Sequence, residues 1–300
     1  MLIDEQGALE MRRAIYAKGK AAKIDLVRAI DSGRGADAYS DAFIDLLSEV
    51  AADVLVNDVE PARYIQAADA EWLVTRLNGG LANRAEYAML THVIGQAVSV
   101  PPALAAFVVG EIERGIVKGA AGHQAGVVTD ADLQSLRTVV YAATEGSSLH
   151  VTQDSAEALF RIADALADGA ENPGFDDFFA KAIGNYVMGL AFRWTPSASE
   201  KKRVDAWLDA PEPGFGAFLG SMLDFSRIGQ DVDIDADQNA ADARDMMRAE
   251  AIDAGEAEWL VSRLTRDGKI SSAERRLLRF LKEESPAIAP ALAALMEKAA

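Results

Sequence analysis

The segment "IQAADAEWLVTRL" (residues 65–77) returns later in the chain as "IDAGEAEWLVSRL" (residues 252–264), aligned without a gap. In both, apolar residues recur three and four apart, the spacing that gives an α-helix one buried face. The register continues past the tryptophan segments. After a one-residue adjustment Gly80 pairs with Gly268 and Glu86 with Glu274, and "PALAAF" (residues 102–107) pairs with "PALAAL" (residues 290–295). Upstream, "FIDLLSEVAADVLV" from Phe43 resembles "FDDFFAKAIGNYVM" from Phe175, and "IYAKGK" from Ile15 faintly echoes "VYAATEG" from Val140. One multi-helix bundle unit is therefore expected twice in tandem. Residues 1–117 form the first copy and residues 131–300 the second, with an insertion in the second at about 190–250. Between them, "KGAAGHQAGVVTD" (residues 118–130) is rich in Gly and Ala and reads as a linker. Duplicated helical units stack to bury apolar faces that neither copy covers alone. One body and two tethered lobes both satisfy that need.

Helical periodicity runs through the rest of the chain. "DAFIDLLSEVAADVLV", "PALAAFVVGEIERGI", "DSAEALFRIADALA" and "AERRLLRFLKEE" all carry the same spacing, alternating strand patterns are nearly missing, and alanine is abundant. The fold class is all-α. Helix starts are marked by capping boxes, in which a Ser, Thr, Asp or Asn and a Glu three residues on satisfy two orphan amides. Asn83 with Glu86, Asp154 with Glu157, Ser197 with Glu200 and Ser271 with Glu274 have that spacing. Prolines at 101–102, 196, 286 and 290 mark further boundaries.

Three hundred residues with half of them apolar are enough for a substantial core. A net charge of -17 argues against nucleic acid as the main partner and against docking on an anionic membrane. It favours cations or basic partners. Cysteine is absent, which excludes disulfides, thiolate metal sites and cysteine nucleophiles. The opening "MLIDEQGALEMRR" has acids where a secretion signal has basic residues, and no stretch reaches the ~18 apolar residues of a membrane span. A soluble, cytoplasmic chain without membrane insertion is expected.

"LTRDGKISSAERRLLRFL" (residues 264–281) has two readings. With Gly268 at the sixth position of a calcium loop, Asp267 falls at the fifth, Ile270 at the eighth and Glu274 at the twelfth. Positions one and three then fall on Arg263 and Thr265, which removes two strong ligands and places a cation against the ion. In the other reading Gly268 makes the left-handed turn that ends one helix, Ser271 caps the next, and Glu274 is the third-position partner of the cap. The first copy favours the cap, because "NGGLANRAE" keeps the glycine, the cap and the Glu but not the Asp. This stretch, set between two amphipathic helices, resembles the TerB-like family of tellurite-resistance domains. That resemblance implies a compact helical bundle with acidic residues proposed to hold a metal ion, of which Asp267 and Glu274 match here.

A second acidic run, "DVDIDADQN", puts Asp231, Asp233 and Asp235 at loop positions one, three and five, with Asn239 at nine and Asp242 at twelve. Ala236 replaces the turn glycine and Gln238 the apolar eighth residue, a pattern also typical of a solvated linker. If the chain takes calcium or another divalent cation, this run is the first place to look. No other cofactor is implied.

Chemistry has few markers. His92, His123 and His150 lack the companion spacing of zinc or di-iron helices; His92 is expected to pack where the second copy has Phe280, and His123 falls in the linker. No nucleophile elbow or P-loop is present, and "GRGADA" from Gly33 reads as a turn. Trp72 and Trp259 are expected as equivalent core anchors, with paired ligand-binding aromatics as the alternative. Basic residues cluster at Lys201, Lys202 and Arg203, read as a solvated helix start or one side of a partner contact, and in "RRAIYAKGKAAK", a surface suited to the acidic insertion of another subunit. The expected function is non-enzymatic binding, most simply of another protein in a groove between helices, with divalent-cation binding or sensing as the alternative.

Overall fold

A computed structural model of the protein describes residues 2–77, 80–142, 151–166, 172–187, 254–266, 268–284 and 290–299. It is all-α, as the 3.6-residue periodicity requires. Among the described residues the strands are two short pieces, β1 (Leu2–Ile3) and β2 (Ala38–Tyr39), paired in parallel. The chain divides into two compact units. No helix among the described residues is long and apolar enough to cross a membrane.

The first unit contains α1 (Glu5–Tyr16), α2 (Lys23–Arg34), α3 (Asp41–Ala52), α4 (Ala67–Arg76), α5 (Arg84–Gln96), α6 (Pro102–Lys118) and α7 (Asp130–Val140). Its core lies between α2, α3 and α5, where Leu26, Ile30, Phe43, Leu46, Leu47, Leu90 and Val93 are wholly withdrawn from water. At its C-terminal end α3 widens into a single π-helical turn, Asp53–Asn57. Helix α4 packs on α6, and α7 packs on both α5 and α6. The helix read from the sequence as opening the second copy thus belongs by its packing to the first unit. Residues 119–128, read as linker, form a loop in which Gly126 N donates to Ile116 O at 2.8 Å.

The second unit contains α8 (Gln153–Leu166), α9 (Pro173–Val187), α10 (Ala254–Leu264), α11 (Ser272–Glu284) and α12 (Pro290–Ala299). Phe160, Phe175, Phe178 and Phe179 form its aromatic centre, with the Phe160 and Phe179 rings edge-on at 5.0 Å. Here α9 packs on α11 and α10 on α12. These are the helices that the sequence register pairs with α3, α5, α4 and α6.

The two tryptophans are half-buried rather than sealed in the core. An indole N–H needs an acceptor, which favours the boundary between apolar and polar surroundings. Trp259 donates to Glu157 at 3.0 Å and meets the rings of Phe160 and Tyr186 edge-on. Trp72 lies beneath the Lys23 ammonium, 5.3 Å from the ring centre. Each indole therefore faces the first core helix of its unit, α2 or α8, through different chemistry. Arg76 and Arg263, four residues further on, repeat that pattern by pairing with Asp31 and Glu157.

Among the expected caps, Asn83 accepts from Ala85 N and Glu86 N at 3.0 and 3.1 Å. The expected Asp154–Glu157 box is displaced: Thr152 takes the capping role, accepting from Ser155 N at 3.2 Å. Glu157 is drawn to Trp259 and Arg263, partners invisible to a local motif. Ser197 and Glu200 lie outside the described residues.

Candidate functional site

Helix α3 presents Asp45, Glu49 and Asp53 at successive four-residue steps, which places three carboxylates on one face. Helix α5 presents Ala88, His92 and Gln96 at the same spacing. The apolar faces of the two helices meet, and these polar faces diverge above the seam into a groove of about 500 Å³, with Ile44, Ser48, Ala52 and Asn57 completing its lining.

The carboxylates are held from outside the groove. Arg12 of α1 pairs with Glu49, and Tyr16 donates to Asp53 Oδ2 at 2.6 Å. Burial, reinforced by the bond to Asp53 and its charge, pushes the Tyr16 hydroxyl well above its ordinary range, so it remains a donor. The π turn brings Asn57 round to donate to Asp53 Oδ1 at 3.0 Å. Asp45 stands exposed at the mouth. His92, expected to pack, is also exposed, and its Nε2 lies 3.0 Å from the Gln96 amide nitrogen.

The same register in the second unit is filled. Asp45, Glu49 and Asp53 correspond to Asp177, Lys181 and Asn185, while Ala88 and His92 correspond to Arg276 and Phe280. Lys181, only 2% exposed, meets Asp177 at 2.9 Å. Arg276 reaches the other oxygen of Asp177 at 2.7 Å, Asn185 accepts from Val151 N at 2.8 Å, and Phe280 is buried. The stripe lines an open groove in the first unit, where Glu49 is paired with Arg12, whereas in the second unit Lys181 and Arg276 both pair with Asp177 and Phe280 is buried.

Of the residues singled out as cation ligands, Glu274 is the one that falls within the described part of the chain. It is 3% exposed, its Oε2 accepts from Ser271 N at 2.7 Å, and its own N–H donates to Ser271 Oγ at 3.2 Å. Gly268 has φ +72°, the left-handed turn of the capping reading. Glu86, its counterpart, is 1% exposed; it accepts from Ala82 N at 2.9 Å and forms a two-pronged ion pair with Arg34. Asp267, Asp231, Asp233, Asp235, Asn239 and Asp242 lie outside the described residues. Of the N-terminal basic cluster, Arg12 and Lys23 are engaged inside their own unit, with Glu49 and with Asp69.

Sequence reasoning passes over the groove because carboxylates are common in so acidic a chain. The usable signal is narrower: acids at 45, 49 and 53 opposite His92, at positions where the second unit keeps an aspartate but has a lysine, an amide and a phenylalanine in place of the others. No family model matches the chain, and no curated protein or solved structure is significantly similar to it.

Proposed function

We propose that this protein is a non-enzymatic helical interaction module whose α3–α5 groove takes a lysine- or arginine-bearing segment of a partner protein. One observation carries the reading. A stripe of three carboxylates is left facing an open groove in the first unit, while the same register in the second unit is plugged by Lys181, Arg276 and Phe280. Two further points support it. The whole chain carries -17, which steers cationic segments towards it. Arg12, Tyr16 and Asn57 hold Glu49 and Asp53 in place before any ligand arrives, so less ordering is needed on binding. Asp45, exposed and at the mouth, is the first contact for an incoming guanidinium or ammonium group.

The tandem arrangement and the TerB-like resemblance belong to this proposal. Matched helix contacts in the two units support the first, and the glycine–cap–glutamate turn before α11 is the motif behind the second. The second copy then acts as the closed scaffold and the first as the binding copy.

Titration with an octa-arginine peptide tests the reading. The intact protein should bind it, more weakly as salt rises. Asp45→Asn with Glu49→Gln should weaken binding about tenfold, the equivalent of ~1.4 kcal/mol. A control with the same charge change at exposed Glu10 and Glu71, as Gln, should bind like wild type. Equal loss in both double variants would reduce the effect to bulk charge and remove the groove from the mechanism.

A further inference from the structure

His123 lies in the loop between α6 and α7, with its side chain 12% exposed. Its Nδ1 is 3.0 Å from Ala120 O and its Nε2 is 2.7 Å from Asp132 Oδ1. A carbonyl and a carboxylate can only accept, so both ring nitrogens must donate and the imidazole holds both protons. The opposite face of the carboxylate is already satisfied: Asp132 Oδ2 accepts from Thr129 N at 2.9 Å and Thr129 Oγ1 at 2.7 Å.

Every neighbouring element is fitted to the ring. From α5, the Tyr87 ring meets it at 4.6 Å, tilted by 54°, with its buried hydroxyl unpartnered, a favourable partner for a cation. From α6, Gly115 makes room, since a Cβ there would stand 2.9 Å from Nδ1. From α7 comes Asp132. The charged and titratable groups facing the ring are thus Asp132 and Tyr87. Around it the loop backbone takes four left-handed turns, at Gly119, Ala121, Gly122 and Gly126. Ala121 and Gly122 form one wall of a second cleft, about 320 Å³, that also contains Arg34, Asn83 and Arg84.

We infer that the 119–128 loop is a proton-locked strap: the doubly protonated His123 ties Ala120 to Asp132, and loss of one proton unfastens the loop along the Arg34–Asn83 cleft. A neutral imidazole keeps a single N–H, so one of the two bonds becomes a lone pair set against oxygen.

The direction with pH follows from the bonds. The hydrogen bond to Asp132 raises the His123 pKa above its ordinary 6.5, against the opposing effect of burial. A raised folded-state pKa gives stabilisation that is complete below the unfolded value and lost as pH climbs through the folded value. Asp132 behaves oppositely. Burial pushes its carboxyl up, but the bonds from His123 and Thr129 together hold it below 3.8, so its contribution is lost only as pH falls through that lowered value. The strap is fastened between those limits.

The chain has three histidines, so His92→Gln and His150→Gln identify the His123 ring signal by elimination in an NMR titration of the full protein. We expect its midpoint above 6.5, and exchange protection of the Gly126 amide, relative to that of Leu90, falling about tenfold per pKa unit through that same midpoint. Asp132→Asn should lower the midpoint, and His123→Gln should make the Gly126 protection independent of pH. A wild-type midpoint at or below 6.5, or Gly126 protection unchanged across it, overturns the strap even if a variant fails to fold.

Discussion

Glu86 and Glu274 stand in the same register, and both are withdrawn almost completely from water. A buried carboxylate is tolerated only where donors replace its hydration, and each finds them at the turn before its helix. For Glu274 one such donor is the Ser271 amide. The sequence discloses this contact because its two partners are three residues apart and the motif is local. It does not disclose that Glu86 also pairs with Arg34, which reaches it across the fold from α2. Glu274→Ala takes the carboxylate acceptor from the half-buried Ser271 N–H and should cost about 1 kcal/mol in chemical denaturation. Glu274→Gln keeps an oxygen in place and should cost less. Calcium separates the cap from a cation ligand. If the carboxylate belongs to the cap, chelator-treated wild type and Glu274→Gln should respond identically in Tm to millimolar calcium. A calcium-induced gain that Glu274→Gln abolishes would reassign it to an ion.

The helices themselves are the most legible part of the sequence, because a buried face repeats every three to four residues whatever lies opposite it. What lies opposite is a matter of tertiary contact. Register alone assigns residues 131–140 to the start of the second copy, yet their apolar face closes on α5 and α6. The match to Phe280 implies a packed His92, yet the residue stands exposed, at a groove that α3 lines with Asp45 and Glu49 as well as with Ile44 and Ala52. The π turn at Asp53–Asn57 has no periodicity signature at all. The contrast between units can be tested by transplanting one into the other. Ala88→Arg with His92→Phe copies into α5 the two side chains of the second unit at these positions, Arg276, which pairs with Asp177, and the buried Phe280. The introduced guanidinium is then positioned to neutralise Asp45, and the introduced phenyl ring to cover the α3 seam. Octa-arginine binding should fall at least about tenfold with stability unchanged or raised, since both sites are open to solvent or half-buried in the native protein. Undiminished binding by the filled variant would place the cation site elsewhere.

At the scale of the molecule, charge and division into units act together. Each unit has its own apolar centre, one built on Leu26, Phe43, Leu47 and Leu90, the other on Phe160, Phe175, Phe179 and Leu277. The acidic groove, the Arg34–Glu86 pair and the His123–Asp132 clasp all lie within the first. If tandem copies diverged so that one binds while the other remains closed, the binding copy should keep its activity when detached. Residues 1–149 expressed alone should then melt cooperatively, since domains of this size bury enough surface to fold independently. The fragment should bind octa-arginine within about threefold of the full chain, because the carboxylates that make the groove travel with it. Salt should weaken both alike, as screening acts on the same Asp45, Glu49 and Asp53. A fragment that folds but binds more than about tenfold more weakly would show that the second unit supplies part of the site, and the division of labour between copies would fail even with the groove intact.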